Sequence, residues 1–269
     1  MNINDEQLLI KLLLKAIEDA NNLKFNLNKE VLNVPGMSSK KLGNILNKKI
    51  IVLVLSSLRY PWNMIENEGI RKTWLTLKNH NIDVIFYYGG CNQNIILNNN
   101  IYSIIPEGLM NIGYRTLQVF EYLNKKYDYD ILLRTNTSSY IDLILLNQYV
   151  NEKLNNIDDL FYAGQPVPYS IGNPPFNFLS GCGYFLSKKM VDFILSKKME
   201  WDHSMVDDVS LGRLMSNYNI NFYHTDRYTF NTVNDIVPTN YYHYRCKINE
   251  NRFNDVDIMK KIHIAKGYI

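Results

Sequence analysis

From Lys49 onward, short aliphatic runs alternate with stretches of helical period. Ile50-Ile-Val-Leu-Val-Leu55 is apolar at every position and ends at Ser56-Ser57, which predicts a parallel strand covered on both faces. A helix is expected over about 63–79, followed by a second buried strand, Ile82-Asp-Val-Ile-Phe-Tyr-Tyr88, that Gly89-Gly90 stops. Another helix over about 111–126 leads into Tyr129-Asp-Ile-Leu-Leu133, with a polar stop at Arg134-Thr-Asn-Thr-Ser-Ser139. Two βαβ units in succession predict an α/β fold with a doubly wound sheet, whose ligands bind in the crevice at the carboxyl ends of the strands.

That rule gathers Ser56, Ser57, Gly89, Gly90 and the 134–139 segment on one edge of the sheet. Short polar side chains and glycines let a flat ligand approach the backbone closely, and they are also ordinary turn residues. No G-x-G-x-x-G opens a helix after the first strand and no G-x-x-x-x-G-K-[ST] occurs, which disfavours the usual dinucleotide and P-loop sites.

Ahead of the first strand, Leu8, Leu9, Leu12, Leu13 and Ile17 follow helical spacing over about Asp5 to Ala20, with Asn4 or Asp5 as cap. Such a stripe is expected to pack on its own protein. A membrane-surface or partner helix is the alternative, and the mixture of Glu and Lys on the polar face counts against it. The Asn-, Lys- and Ser-rich stretch from Asn21 to Lys49, around Pro35-Gly36, reads as a connection. The expected organisation is a helical extension over 1–48 and a second domain over 49–269.

Composition narrows the picture mainly by exclusion. The 269 residues are 46% hydrophobic and 20% charged, which suits a packed core and excludes a disordered chain. A net charge of +3 from 29 basic and 26 acidic residues is too small and too mixed for a dedicated nucleic-acid binder. Cys91, Cys182 and Cys246 are odd in number and lack metal-ligand spacing, so reduced, mostly buried thiols are expected. The start is polar and acidic where a signal peptide is basic. The run Leu8 to Ile17 is broken by Lys11 and Lys15, and no stretch reaches the ~20 apolar residues of a membrane span. A cytoplasmic location follows as an expectation; nothing in the sequence speaks to the oligomeric state.

The second half carries a more specific pattern. Asn177-Phe-Leu-Ser-Gly-Cys-Gly-Tyr-Phe-Leu-Ser187 precedes a helix beginning near Lys188, and Trp201-Asp-His-Ser-Met-Val-Asp-Asp-Val-Ser-Leu-Gly212 precedes another. These segments resemble the nucleotide-sugar glycosyltransferases of the β-1,3 family, such as Fringe and the β-1,3-galactosyltransferases. That family has Ser-Gly-x-Gly-Tyr-x-Leu-Ser followed by Glu/Asp-Asp-Val-x-x-Gly. In the same chain order, Ile70-Arg71-Lys-Thr-Trp74 resembles its Ile-Arg-x-Thr-Trp, and Leu109-Met-Asn-Ile-Gly-Tyr-Arg115-Thr-Leu117 its Tyr-x-Asn-Leu-Thr-x-Lys-Thr-Leu. The similarity spans about Ile50 to Tyr223.

The resemblance implies a fold of the GT-A type, a doubly wound mixed sheet flanked by helices, and inverting transfer of a sugar from a nucleotide-sugar, by resemblance a UDP-sugar, to a glycan or other hydroxyl acceptor. It places the catalytic base at Asp208, with Asp207 orienting it or contacting the acceptor, although two acids at a helix start are also ordinary capping. Together with the strand-end rule it points to donor contacts from Ser56, Ser57, Arg71, Gly89, Arg115, Arg134, Thr135, Asn136 and Ser138; Gly181 and Gly183, with Tyr184 at the start of a strand, allow a sugar to approach the backbone, and Trp201 is a stacking candidate, although a lone Trp is more often core. His203 is a minor candidate. The irregular, Pro- and Tyr-rich stretch Tyr162 to Phe176 is expected to form a loop, as an acceptor-facing wall or a rigid surface connection. The Asn98-Asn-Asn run reads as compositional bias.

One departure stands out. Where the family carries three aspartates that hold a divalent metal, this chain has Asn136-Thr137-Ser138. Hard cations favour charged oxygens, so no cofactor is assigned with certainty: Mn²⁺ or Mg²⁺ stays open, and metal binding of the family's usual strength is not expected. Fixed cations, among them Arg115, Arg134, His243, Arg245 and Lys247, can clamp a diphosphate in its place. The alternatives are a catalytically silent nucleotide or carbohydrate binder on the same fold, and a transferase using a single-phosphate donor such as a CMP-sugar.

Overall fold

The computed structural model describes residues 47–154, 160–171 and 174–268. The amphipathic helix expected over 5–20, and all but the end of the connection that follows it, lie outside the described residues.

Two aliphatic runs pair as expected: β1 (Ile50–Leu55) and β2 (Ile82–Tyr88) are parallel, with Leu55 opposite Tyr87. Between them no continuous helix forms over 63–79. Trp62–Met64 runs into a π-helical turn, Ile65–Ile70, in which Arg71 N–H reaches back to Glu66 C=O, and a 3₁₀ turn follows at Trp74–Thr76. Two side chains with inward partners account for the break. Trp74 is fully buried and donates its Nε1–H to Ser139 C=O at 3.1 Å, and Glu66 turns in to accept from Ser56 Oγ, Tyr88 Oη and Arg71. Widened helical turns of this kind recur where a side chain must be re-aimed.

After β2 comes a hairpin, β3 (Ile95–Leu97) and β4 (Asn100–Tyr102). Its turn is Asn98-Asn99, both left-handed at φ 46° and 62°, a conformation asparagine tolerates. The asparagine run that reads as compositional bias is therefore a structural turn. Helix α1 (Ile112–Lys126) leads to β5 (Ile131–Asn136), then β6 (Ser139–Ile141) and α2 (Leu143–Lys153). Arg134, Thr135 and Asn136 thus belong to the strand and do not form a polar stop after it. Much of the stretch from Tyr162 to Phe176 is also strand: β7 (Tyr162–Tyr169) pairs antiparallel with β8 (Phe176–Ser187), and the ladder accepts Pro166 and Pro168 after an irregularity between Gly164 and Pro166. The remaining elements are α3 (Lys188–Ser196), α4 (Asp207–Asn217), β9 (Tyr223–His224), β10 (Tyr228–Thr229), β11 (His243–Arg245) and α5 (Phe253–Ala265).

The fold is α/β. One mixed sheet runs β3-β4-β2-β1-β5-β8-β7-β9, with β2, β1 and β5 parallel at its centre and β8 antiparallel beside β5. A small sheet, β10-β11-β6, stands apart from it. Alternation along the central strands splits the core into two layers. Ile50, Val52 and Val54 meet Trp74, Val256, Met259 and Ile262, while Ile51 and Leu53 meet Phe120, Leu123, Val191 and Leu211. Each such side chain contributes about 1.5–3 kcal/mol by leaving water. No described helix is long and apolar enough to cross a membrane.

Helix α4 lies against β8 at Gly212, where an added Cβ would stand 2.7 Å from the Cα of Phe178. Gly212→Ala therefore forces backbone movement and is expected to cost about 1–3 kcal/mol in urea unfolding; an unchanged midpoint would mean that the two elements are not in register as described.

Candidate active site

The site begins with a charged residue where strand alternation calls for an apolar one. Leu132 and Arg134 of β5 point to the same side, so Arg134 enters the layer under α1 and α4, 2% exposed. There it meets Asp207 at the first turn of α4, Nη2 to Oδ2 at 2.6 Å, with the carboxylate equally enclosed. Its Nε–H donates to Tyr87 Oη, its Nη1–H to Gly181 C=O, and its guanidinium lies 5.6 Å from the centre of the Tyr184 ring. Burial pushes the Asp207 carboxyl up against the opposing pull of Arg134, and the Asp207 field keeps Arg134 protonated despite its burial. With its charge neutralised inside the core, Arg134 is not a clamp for a diphosphate, and Asp207 is enclosed away from any acceptor.

Asp208, the next residue, is half-buried and oriented differently. Its Oδ2 accepts the Gly181 N–H at 2.8 Å and its Oδ1 the Val209 N–H at 3.0 Å. Gly181 allows this approach, because a Cβ there would come within 2.9 Å of Asp208 Oδ2 and 2.8 Å of Arg134 Nη1. Gly181 C=O also accepts from Asn136 Nδ2 at 3.3 Å. The two acids, Asn136 and the Ser-Gly-x-Gly segment are thus held as one unit.

Asn136 also lines a cavity of about 470 Å³ at the carboxyl ends of β1 and β5. Ser56, Ser57 and Thr137-Ser138 form part of its wall, with Leu109, Ile112 and Arg115 from the entry of α1 and Lys247 and Arg252 from the chain after β11. Arg115 is 3% exposed; its Nη2 reaches Gly108 C=O, and its Nε and Nη1 have no hydrogen-bond partner among the described residues. Gly89 makes room for it, since a Cβ there would lie 2.5 Å from Arg115 Nη1.

The aspartate-replacing segment does not fit a hard divalent cation. Asn136 Oδ1 accepts the Ser138 N–H, its Nδ2 is spent on Gly181, and Ser138 Oγ accepts from Arg252 Nη2 at 2.7 Å. These oxygens are neutral and engaged, and a guanidinium stands beside them. Among the described residues no three His, Cys, Asp or Glu side chains gather as a metal-ligand set.

Several expected site residues lie elsewhere. Arg71, half-exposed, bonds through Nε and Nη2 to the buried Glu66, off the cavity wall. Thr135 is buried and donates its Oγ1–H to Cys182 C=O. Tyr184 sits in mid-strand, fully buried, opposite Arg134 in the β5–β8 register, so its ring faces the core and not a sugar. Trp201, 4% exposed, points its Nε1 at Gly113 and is also a core residue. His203 instead stacks on the half-exposed Tyr114, ring centres 3.4 Å apart. His243 is buried beneath Gly183, where a Cβ would meet its ring at 2.3 Å, and Arg245 is not part of the cavity wall. Sequence reasoning missed Arg252, which joins no local motif and reaches Ser138 across 114 residues of chain, and Glu107 and Leu109 on the same wall. Cys91 and Cys182 are half-buried, Cys246 fully buried, and all three are free.

No protein-family model matches the chain, and no curated protein matches it by sequence. Among solved structures it is similar to a glycosyltransferase involved in the glycosylation of the major capsid of PBCV-1, with 10% identity over 78% of this chain and 99% of that one and a TM-score of 0.45. It is also similar to the galactosyltransferase LgtC in complex with donor and acceptor sugar analogs (11% identity, 67% of this chain, 75% of that one, TM-score 0.42). A third is the glycosyltransferase GlyE of Streptococcus pneumoniae TIGR4 (10%, 67% and 45%, TM-score 0.38).

Two measurements check the buried charges. Arg134→Met strands the Asp207 carboxylate without a partner and is expected to lose about 3–5 kcal/mol in urea unfolding, with Arg134→Met/Asp207→Leu recovering much of it. Burial, helped by Arg227 and Arg245, lowers the His243 pKa from 6.5 to about 3. Between those values the unfolded chain binds a proton that the fold refuses. The stability due to His243 is therefore complete above pH 6.5 and is lost as the pH falls toward 3, by at most about 1.4 kcal/mol per pH unit. His243→Gln is expected to remove that component of the slope in unfolding titrations from pH 7 to 4.

Proposed function

We propose that this chain is an inverting glycosyltransferase of the GT-A type. It takes a sugar from a nucleoside-diphosphate donor, a UDP-sugar by resemblance, and passes it to a hydroxyl acceptor on a glycan or other molecule. One observation carries the reading: a carboxylate, Asp208, is held by the Gly181 N–H one residue away from a cation-lined cavity of about 470 Å³ at the carboxyl edge of the sheet. The Ser-Gly-x-Gly-Tyr and Asp-Asp-Val-x-x-Gly segments supply the two sides of that contact.

In this reading the donor's diphosphate lies against Ser56, Ser57, Asn136 and Arg115, and the sugar projects toward Gly181. Asp208 Oδ1 or Oδ2 takes the proton of the acceptor hydroxyl as its oxygen attacks the anomeric carbon. The new oxygen–carbon bond forms on the face opposite the breaking carbon–oxygen bond, and the nucleoside diphosphate leaves with that electron pair. Asp207 holds no proton for the reaction; through Arg134 it fixes the start of α4, and with it the direction of Asp208. Glu66 acts at a similar remove, because its bond to Ser56 Oγ fixes a hydroxyl of the cavity wall.

A silent binder on the same fold is favoured by one feature, the neutral Asn136 and Ser138 where the resembled family has acids. Asp208→Asn separates the two readings. It is expected to lower transfer, followed as nucleoside diphosphate release with acceptor present, by about 10²–10⁴-fold while leaving donor affinity within twofold. Full activity in the variant would remove Asp208 as the base, and nucleotide binding without any release by the wild-type chain would support the binder.

A further inference from the structure

Resting on the donor reading above, we propose that Arg252 takes the place of the divalent metal. Its guanidinium, with Arg115 and Lys247, holds the donor's diphosphate and stabilises the negative charge that grows on it as the sugar departs.

Ser138 stands at one of the three positions where the resembled family has an aspartate. Its Oγ accepts from Arg252 Nη2 at 2.7 Å, so a permanent cation occupies the ground beside the segment on which a metal would be held. Arg252 is not a surface side chain that happens to lie near: only 11% of it is exposed, and Asp255 Oδ2, with no exposure at all, binds the same Nη2 at 2.7 Å. The carboxylate anchors the guanidinium, in the way a metal ligand anchors its ion, and Arg252 lines the cavity. A guanidinium is charged at every working pH and bonds phosphate oxygens with directed N–H groups, whereas a metal ion must first be captured from solution.

Arg115 supplies independent support. It is almost completely buried on the same cavity wall, and among the described residues two of its three nitrogens have no partner and no carboxylate forms an ion pair with it. A buried cation left this way is costly, and an anion entering the cavity relieves the cost. Lys247 lines the same space and pairs with Glu250, which is 90% exposed. Against Arg115, Lys247 and Arg252 the wall carries one carboxylate, Glu107, whose Oε1 has no partner among the described residues, and Asp255 behind the wall balances Arg252. The cations left over, with the unpaired nitrogens of Arg115 foremost, suit an anionic ligand that brings no metal ion.

Isothermal titration of the full chain with UDP, GDP, CDP and ADP, in EDTA and again with Mn²⁺, tests this. The expected result is that at least one diphosphate binds equally well in EDTA and with Mn²⁺, within about twofold, and that sugar transfer persists in EDTA. Arg252→Ala is expected to weaken that diphosphate about tenfold or more while weakening the matching monophosphate several-fold less, and Arg252→Lys to fall between. Thermal melts accompany each variant. If Arg252→Ala unfolds because Asp255 is left alone, Arg252→Met/Asp255→Leu removes both charges and carries the same expectation. Binding or transfer that disappears in EDTA and returns with Mn²⁺ would overturn the role of Arg252 and leave the donor reading standing, as would folded Arg252 variants that bind the diphosphate undiminished. If no diphosphate binds under either condition, the donor reading fails and the role of Arg252 fails with it.

Discussion

An arginine and an aspartate with almost no access to water hold the working end of this protein together. Arg134 comes from the central strand β5, Asp207 from the first turn of α4, and the guanidinium also binds the β8 carbonyl of Gly181 and the Tyr87 hydroxyl. Burying two charges costs several kcal/mol per ion, and the pair recovers this only through close contact and further hydrogen bonds. Such a pair adds little net stability but tolerates little displacement. It fixes the start of α4 against β8 and β5, and Asp208 inherits its position from that constraint. The adjacent acids are therefore placed differently: one is buried in an ion pair, and the other is half-buried against the Gly181 N–H.

Buried carboxylates also fix groups on the cavity wall itself. Glu66 lies in the π-helical turn after β1 and holds Ser56 Oγ, and Asp255 lies in the first turn of α5 and holds Arg252. Each carboxylate belongs to a helical element, and each fixes a side chain on the cavity wall. The central parallel strands explain why these supports converge. Leu55 of β1 is level with Tyr87 of β2 and with Asn136 of β5, so the three strands end on one edge, and the neighbouring elements deliver polar groups to a common space.

Much of the fold could be read from the sequence wherever a local period carried the information. Ile50–Leu55 and Ile82–Tyr88 are strands at the boundaries their aliphatic runs indicate, and the helix from Ile112 to Lys126 follows its stripe. The reading broke down where a long-range partner overrode local preference. Trp74 and Glu66 turn inward and break the expected helix, and the proline-bearing Tyr162–Tyr169 becomes a strand because β8 supplies a ladder. Arg134, polar by type, is carried into the core because Asp207 meets it there.

The site divides in the same way. Sequence by itself determined the α/β class, the strand end that carries Ser56 and Ser57, and the presence of a Ser-Gly-x-Gly segment ahead of two adjacent acids, because each of these is written in contiguous residues; the contact between them, and the place of Asn136 inside β5, came from the fold. Only the tertiary structure decided which charges are free. It sealed Arg134 and Asp207 against each other, buried His243, Tyr184 and Trp201, and brought Arg252 to Ser138 across 114 residues. A residue's charge is set by its chemistry, but its availability depends on burial and on its partner, and both come from distant parts of the chain.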